Sequence, residues 1–134
     1  MGNYRELTED FLRCAVDPGA FRHRDHIAVA YGLLETRDFV EATALYAKRL
    51  KAIATKAGAH GKFNTTITFA FMGLIAERIH RGGHKGFDDF IAENPDLLER
   101  HLLDRLYTPE RLNCDLARRA FLLPDKIAGS ESVQ

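Results

Sequence analysis

The sequence predicts an all-α fold, a single-domain helical bundle with short C-terminal helices packed across it. Three observations carry that expectation. Apolar residues recur at helical spacing through most of the chain. Capping residues and Gly or Pro stops divide it into segments of helical length. One run, Thr65 to Phe71, is β-branched and aromatic enough for a strand, yet no second stretch exists to pair with it. The domain is read as residues 1–134, with residues 1–6 and 127–134 expected to be frayed.

Taken in order, Thr8 is expected to cap a first short helix through Phe11, Leu12 and Ala15, stopped by Asp17-Pro18-Gly19. A second helix runs from His23 to Glu35, with Ile27, Ala30, Tyr31 and Leu34 as its buried stripe and His23 continuing that stripe back by one turn. Asp38 and Glu41, at capping-box spacing, announce a third. Its inner face is Phe39, Ala42, Leu45, Tyr46, Leu50 and Ile53; its outer face carries Lys48, Arg49, Lys51 and Lys56, and Gly58 ends it. The fourth, capped by Asn64 and ending in Gly82-Gly83, is apolar nearly all round and is expected at the centre of the bundle. Beyond Gly86, a short helix buries Phe87, Phe90 and Ile91. A helix from Asn94-Pro95 is expected to run through Leu97, Leu98, Leu102 and Leu106. Thr108-Pro109-Glu110 opens a further turn, Asp115 to Phe121 forms another, and Leu122-Leu123-Pro124 is read as an apolar clasp.

Bulk properties narrow the function. The chain has 134 residues, 46% apolar and 28% charged, which suffices for one core without a disulfide or structural metal. Lys+Arg and Asp+Glu balance at 19 each, so nothing attracts nucleic acid or an anionic membrane in general. Cys14 and Cys114 lie far apart without metal-site spacing and are read as reduced thiols of a cytoplasmic protein. No apolar run reaches the roughly 18 residues of a membrane span. The partner expected is a small-molecule ligand; nucleic acid and membrane are not expected, and a homodimer is left open.

Chemistry concentrates at two helix starts. In Phe21-Arg22-His23-Arg24-Asp25-His26, two imidazoles three residues apart share a helix face, suited to proton transfer or to a divalent transition metal. Two ligands are fewer than the three typical of catalytic zinc; His60 and Asn64 are candidates for the third, Asp25 and His84 weaker ones, and His23, His26 and His60 are taken as the metal set. The second start, Asn64 to Thr68, gathers Asn64, Thr65 and Thr68 beside free backbone N–H groups, which suits an anionic or carbonyl-bearing ligand. Lys62 can add a charge, and of the phenols of Tyr4, Tyr31, Tyr46 and Tyr107 that of Tyr31, two turns on from His23, is the one expected to enter the pocket. Against these stand plain structural readings: His23 caps a helix, His26 is a hydrogen-bonded half-buried histidine, and threonine hydroxyls bond back to helix carbonyls. His80, His84 and His101 fall on surface segments, and no nucleotide loop or nucleophile elbow is present.

The chain resembles a group of small bacterial all-helical proteins of unassigned function over residues 21–125. The residues that carry this are Phe21-x-His23-x-x-His26, Phe63-Asn64-Thr65-Thr66-Ile67-Thr68, Phe87-Asp88-x-Phe90, Asn94-Pro95-x-Leu97-Leu98, Tyr107-x-Pro109-Glu110-x-Leu112, Ala117-Arg118 and Leu123-Pro124-Asp125. Relatives in that group often carry Tyr and His where this chain has Phe63 and Asn64, which implies one fewer metal ligand here. The resemblance implies the architecture and the choice of stretch, and no reaction. The expected function is small-molecule binding between the starts of the second and fourth helices, with His23 and His26 as acid–base pair or metal ligands. The rival is a non-catalytic interaction or regulatory module with structural histidines.

Overall fold

The computed structural model describes residues 3–126, apart from the side chain of His60. Among the described residues there are helices and short 3-10 turns and no strand, so the Thr65–Phe71 run is helical. Helix α1 is Tyr4–Leu12, α2 His23–Thr36, α3 Phe39–Lys56, α4 Thr65–Arg81, α5 Phe87–Glu93, α6 Pro109–Leu112 and α7 Asp115–Arg119.

Helix α1 begins earlier than expected. Asn3 caps it, its side chain accepting from the Arg5 N–H at 2.8 Å, and Tyr4 to Glu6 are helical rather than frayed. Residues 1–2 and 127–134 lie outside the described residues. Thr8 is not a cap; its hydroxyl donates to the Tyr4 carbonyl one turn back, at 2.7 Å. Both Asn and Thr are good caps, and the choice is made by Tyr4, whose ring packs edge-on to Tyr31 and beside Phe87.

Helix α2, not α4, is the centre of the bundle. Every residue from Ile27 to Leu33 is buried, and α1, α3, α4 and α5 pack around it. Gly32 permits the approach of α1, since a Cβ there would collide with the Thr8 hydroxyl. Helix α4 is apolar all round for another reason: it stands between two cores. Met72 and Ile75 face the main one, while Ile67, Ala70 and Leu74 pack on a second, smaller cluster of Leu103, Tyr107 and Leu112. The third helix starts as its sequence indicates, Asp38 accepting from the Glu41 N–H at 2.8 Å. Phe39, assigned to its inner face, is exposed, and Arg49, assigned to the outer face, reaches the Leu12 carbonyl at 2.9 Å.

The C-terminal third departs most from the expectation of regular helices. In place of one helix from Pro95 to Leu106 there are two 3-10 turns, Pro95–Leu98 and Leu102–Arg105, separated by extended backbone at Glu99. The first is pinned to α4 by a two-pronged ion pair from Arg78 to Asp96, at 2.8 and 2.7 Å, and Arg78 also donates to Asn94. The Arg78 guanidinium holds the Asp96 carboxyl below the usual carboxylate range. Thr108 caps α6. The segment after α7 is a clasp, but a polar one. Leu123 and Phe121 are exposed, and the backbone does the holding: Tyr107 donates to the Leu122 carbonyl at 2.8 Å and Arg111 to the Leu123 carbonyl at 2.7 Å.

Candidate functional site

The starts of α2 and α4 meet around a cavity of about 360 Å³, with α3 as its third wall. Its surface is mostly apolar, from Ile27, Ala30, Leu50, Ala54, Ile67, Phe71, Met72 and Ile75. Its polar groups are His23, His26, Tyr46, Asn64 and Thr68, with the exposed Lys62 alongside. His23, His26, Asn64 and Thr68, separated by some forty residues of chain, therefore share one hollow.

Local chemistry positions the imidazoles. Arg22 takes the cap position of α2, and the Asp25 carboxylate accepts its backbone N–H at 2.9 Å, which leaves both histidine side chains free of capping. His23 Nε2 lies 3.0 Å from the Leu97 carbonyl. A carbonyl only accepts, so this nitrogen carries a proton, and in the neutral ring Nδ1 is the acceptor. His26 Nδ1 lies 3.1 Å from the Tyr46 hydroxyl. Tyr46 is buried, and burial pushes its phenol far above the ordinary value, so it keeps its proton. Its hydroxyl has no other acceptor among the described residues, so it donates to Nδ1, and His26 carries its own proton on Nε2. Burial first, then the neighbouring His23, pushes the His26 pKa down to about 4, the Asp25 charge opposing weakly. At neutral pH His26 is an uncharged imidazole, held between Tyr46 and the Phe21 ring, whose centroid is 4.4 Å away.

The start of α4 is occupied differently. Asn64 Oδ1 accepts from the Ile67 N–H at 2.9 Å as the cap, while Nδ2 donates to the Leu112 carbonyl at 2.7 Å. Thr68 donates to the Asn64 carbonyl, Thr65 to the Arg118 carbonyl and Thr66 to the Ala120 carbonyl, each at 2.7 Å. These hydroxyls bind backbone. Asn64 and Thr68 border the cavity with the Thr68 hydroxyl and one Asn64 N–H already engaged, and Thr65, read from sequence as a ligand contact, faces α7 instead.

Other assignments also move. Tyr31 lies outside the cavity, buried among Tyr4, Phe87, Phe90 and His84. His84, read as a surface residue, is half-buried there, with an Nδ1 that lacks a hydrogen-bond partner among the described residues. Of the metal set His23, His26 and His60, the first two border the cavity and the His60 side chain lies outside the described residues. Among the described residues no group of three His, Cys, Asp or Glu is placed to hold a metal ion. The sequence prefers Tyr31 among four tyrosines, but it is Tyr46, on the buried stripe of α3 where a phenol needs a partner, that borders the cavity.

Fold and site together define a single-domain α-helical bundle with one histidine-edged apolar cavity. No family model, curated protein or solved structure matches the chain. No helix among the described residues is long and apolar enough to cross a membrane.

Proposed function

We propose that this protein binds a small, largely apolar molecule in the cavity between the starts of α2 and α4, as a member of the small helical group its motifs resemble. The observation that carries this reading is the cavity itself: about 360 Å³ of half-open space with mostly apolar walls and two histidines at its edge. Pockets for small ligands commonly have this composition, an apolar lining with a few placed polar groups, at volumes from roughly 300 Å³ upward. With a pKa near 4, His26 is poorly suited to donate a proton to a substrate at neutral pH. Its role in this reading is to orient the ligand through a hydrogen bond.

The test is a ligand-observed NMR screen of small apolar amides, acids, ketones and alcohols against the wild type and Ala54→Phe. Ala54 lines the cavity, so a phenyl ring there would occupy part of it. The expected result is saturable binding by the wild type that disappears in Ala54→Phe while the circular dichroism spectrum is kept. Equal binding by both proteins, or none by the wild type, would overturn the reading.

A further inference from the structure

Resting on that reading, we infer that the ligand is a neutral molecule with a hydrogen-bond acceptor beside a donor, as in a primary or secondary amide or lactam, on an apolar body. The two histidines bear opposite faces. His23 spends its Nε2–H on the Leu97 carbonyl, which in the neutral ring makes Nδ1 an acceptor. His26 spends its lone pair on the Tyr46 hydroxyl and retains Nε2–H, a donor. Neither remaining nitrogen has a protein partner among the described residues. Both rings border the one cavity, and His23 stands edge-on to Phe71, which lines it as well. At i and i+3 on α2, the two side chains are neighbours on one helical face.

An amide complements that pair completely, its carbonyl accepting from His26 and its N–H donating to His23. A carboxylate, an ester or a tertiary amide offers acceptors only, and leaves the His23 lone pair facing an oxygen or nothing. Leaving a buried polar group unpaired is what makes such sites discriminate. Lys62 is the competing influence, a cation that would favour a carboxylate. It is exposed, so its attraction is screened by water and salt.

Two measurements on the whole chain test this. Long-range proton–nitrogen NMR at neutral pH reads the tautomers directly, and both His23 and His26 are expected to carry hydrogen on Nε2. Titration with three matched probes, naphthamide, naphthoate and N,N-dimethylnaphthamide, reads the selectivity. Naphthamide is expected to bind about tenfold tighter than either of the others. In His23→Leu its affinity should fall to that of the dimethyl compound, whose own affinity is unchanged. An Nδ1–H tautomer at either histidine, or naphthoate binding as tightly as naphthamide, overturns the donor–acceptor assignment. Equal binding by all three removes that assignment and leaves the cavity reading standing, whereas no binding by any of them counts against both.

Discussion

At the scale of single residues, burying a neutral histidine links stability to pH. The folded-state pKa of His26 is lowered to about 4 from the ordinary 6.5. Between those values the unfolded chain binds a proton that the folded chain refuses, so stability must fall as the pH is lowered through that window. Above pH 6.5 the contribution is fully present; below pH 4 both states are protonated and the loss is complete. A shift of this size corresponds to about 3 kcal/mol. Urea unfolding of the wild type and of His26→Gln, at pH 7 and pH 4, isolates the term because the carboxylates common to both proteins cancel. The wild type is expected to lose about 3 kcal/mol more than the variant over that interval. Parallel losses would show that His26 is not held neutral by the fold.

At the scale of elements, α4 is fastened by a single buried hydroxyl. Thr66 is fully buried, donates to the Ala120 carbonyl and accepts from the Leu122 N–H at 3.0 Å, so one hydroxyl ties the post-α7 segment to the helix. Thr66→Val keeps the shape and strands two backbone groups, and should cost about 2–3 kcal/mol, with faster hydrogen exchange at Leu122. An unchanged Leu122 exchange rate would rule out the clasp. The α1–α2 contact is equally specific. Gly32→Ala should destabilise by about 1–3 kcal/mol through collision with Thr8, and adding Thr8→Ala should return part of that loss. Additive losses in the double variant would argue against the contact. Most of these helices were legible in the chain because caps and stops are local chemistry: Asp38, Asn64 and Gly58 act within one turn. What failed was non-local. The start of α1 depends on Tyr4 docking against Tyr31 and Phe87, and the leucine spacing from Leu97 to Leu106 fits a helix, while the backbone turns extended at Glu99 and Asp96 is held by Arg78.

At the scale of the whole molecule, the site exists because two helix starts remote in sequence converge, and only half of that was visible beforehand. The pairing of His23 and His26 with the Asn64–Thr68 turn follows from polar clusters at the ends of apolar helices, and both clusters do border the cavity. Tyr46 stands behind Tyr31 in the sequence reading, since its contact with His26 depends on how α3 crosses α2, and Thr65 was misassigned because its partner carbonyl returns from α7. A half-open hollow of about 360 Å³ beside the main core leaves apolar side chains facing water that a filled core would cover. Sites kept for a ligand commonly hold a protein below its best stability. Ala54→Phe therefore separates the two quantities. It should abolish probe binding while leaving stability unchanged or raising it by up to about 1–2 kcal/mol in urea, because the ring enters space lined by Leu50, Ile67 and Phe71. Loss of binding together with a lower urea midpoint would mean that the ring disrupts the packing of α3 on α4, and that the hollow is not free to receive a molecule of that size.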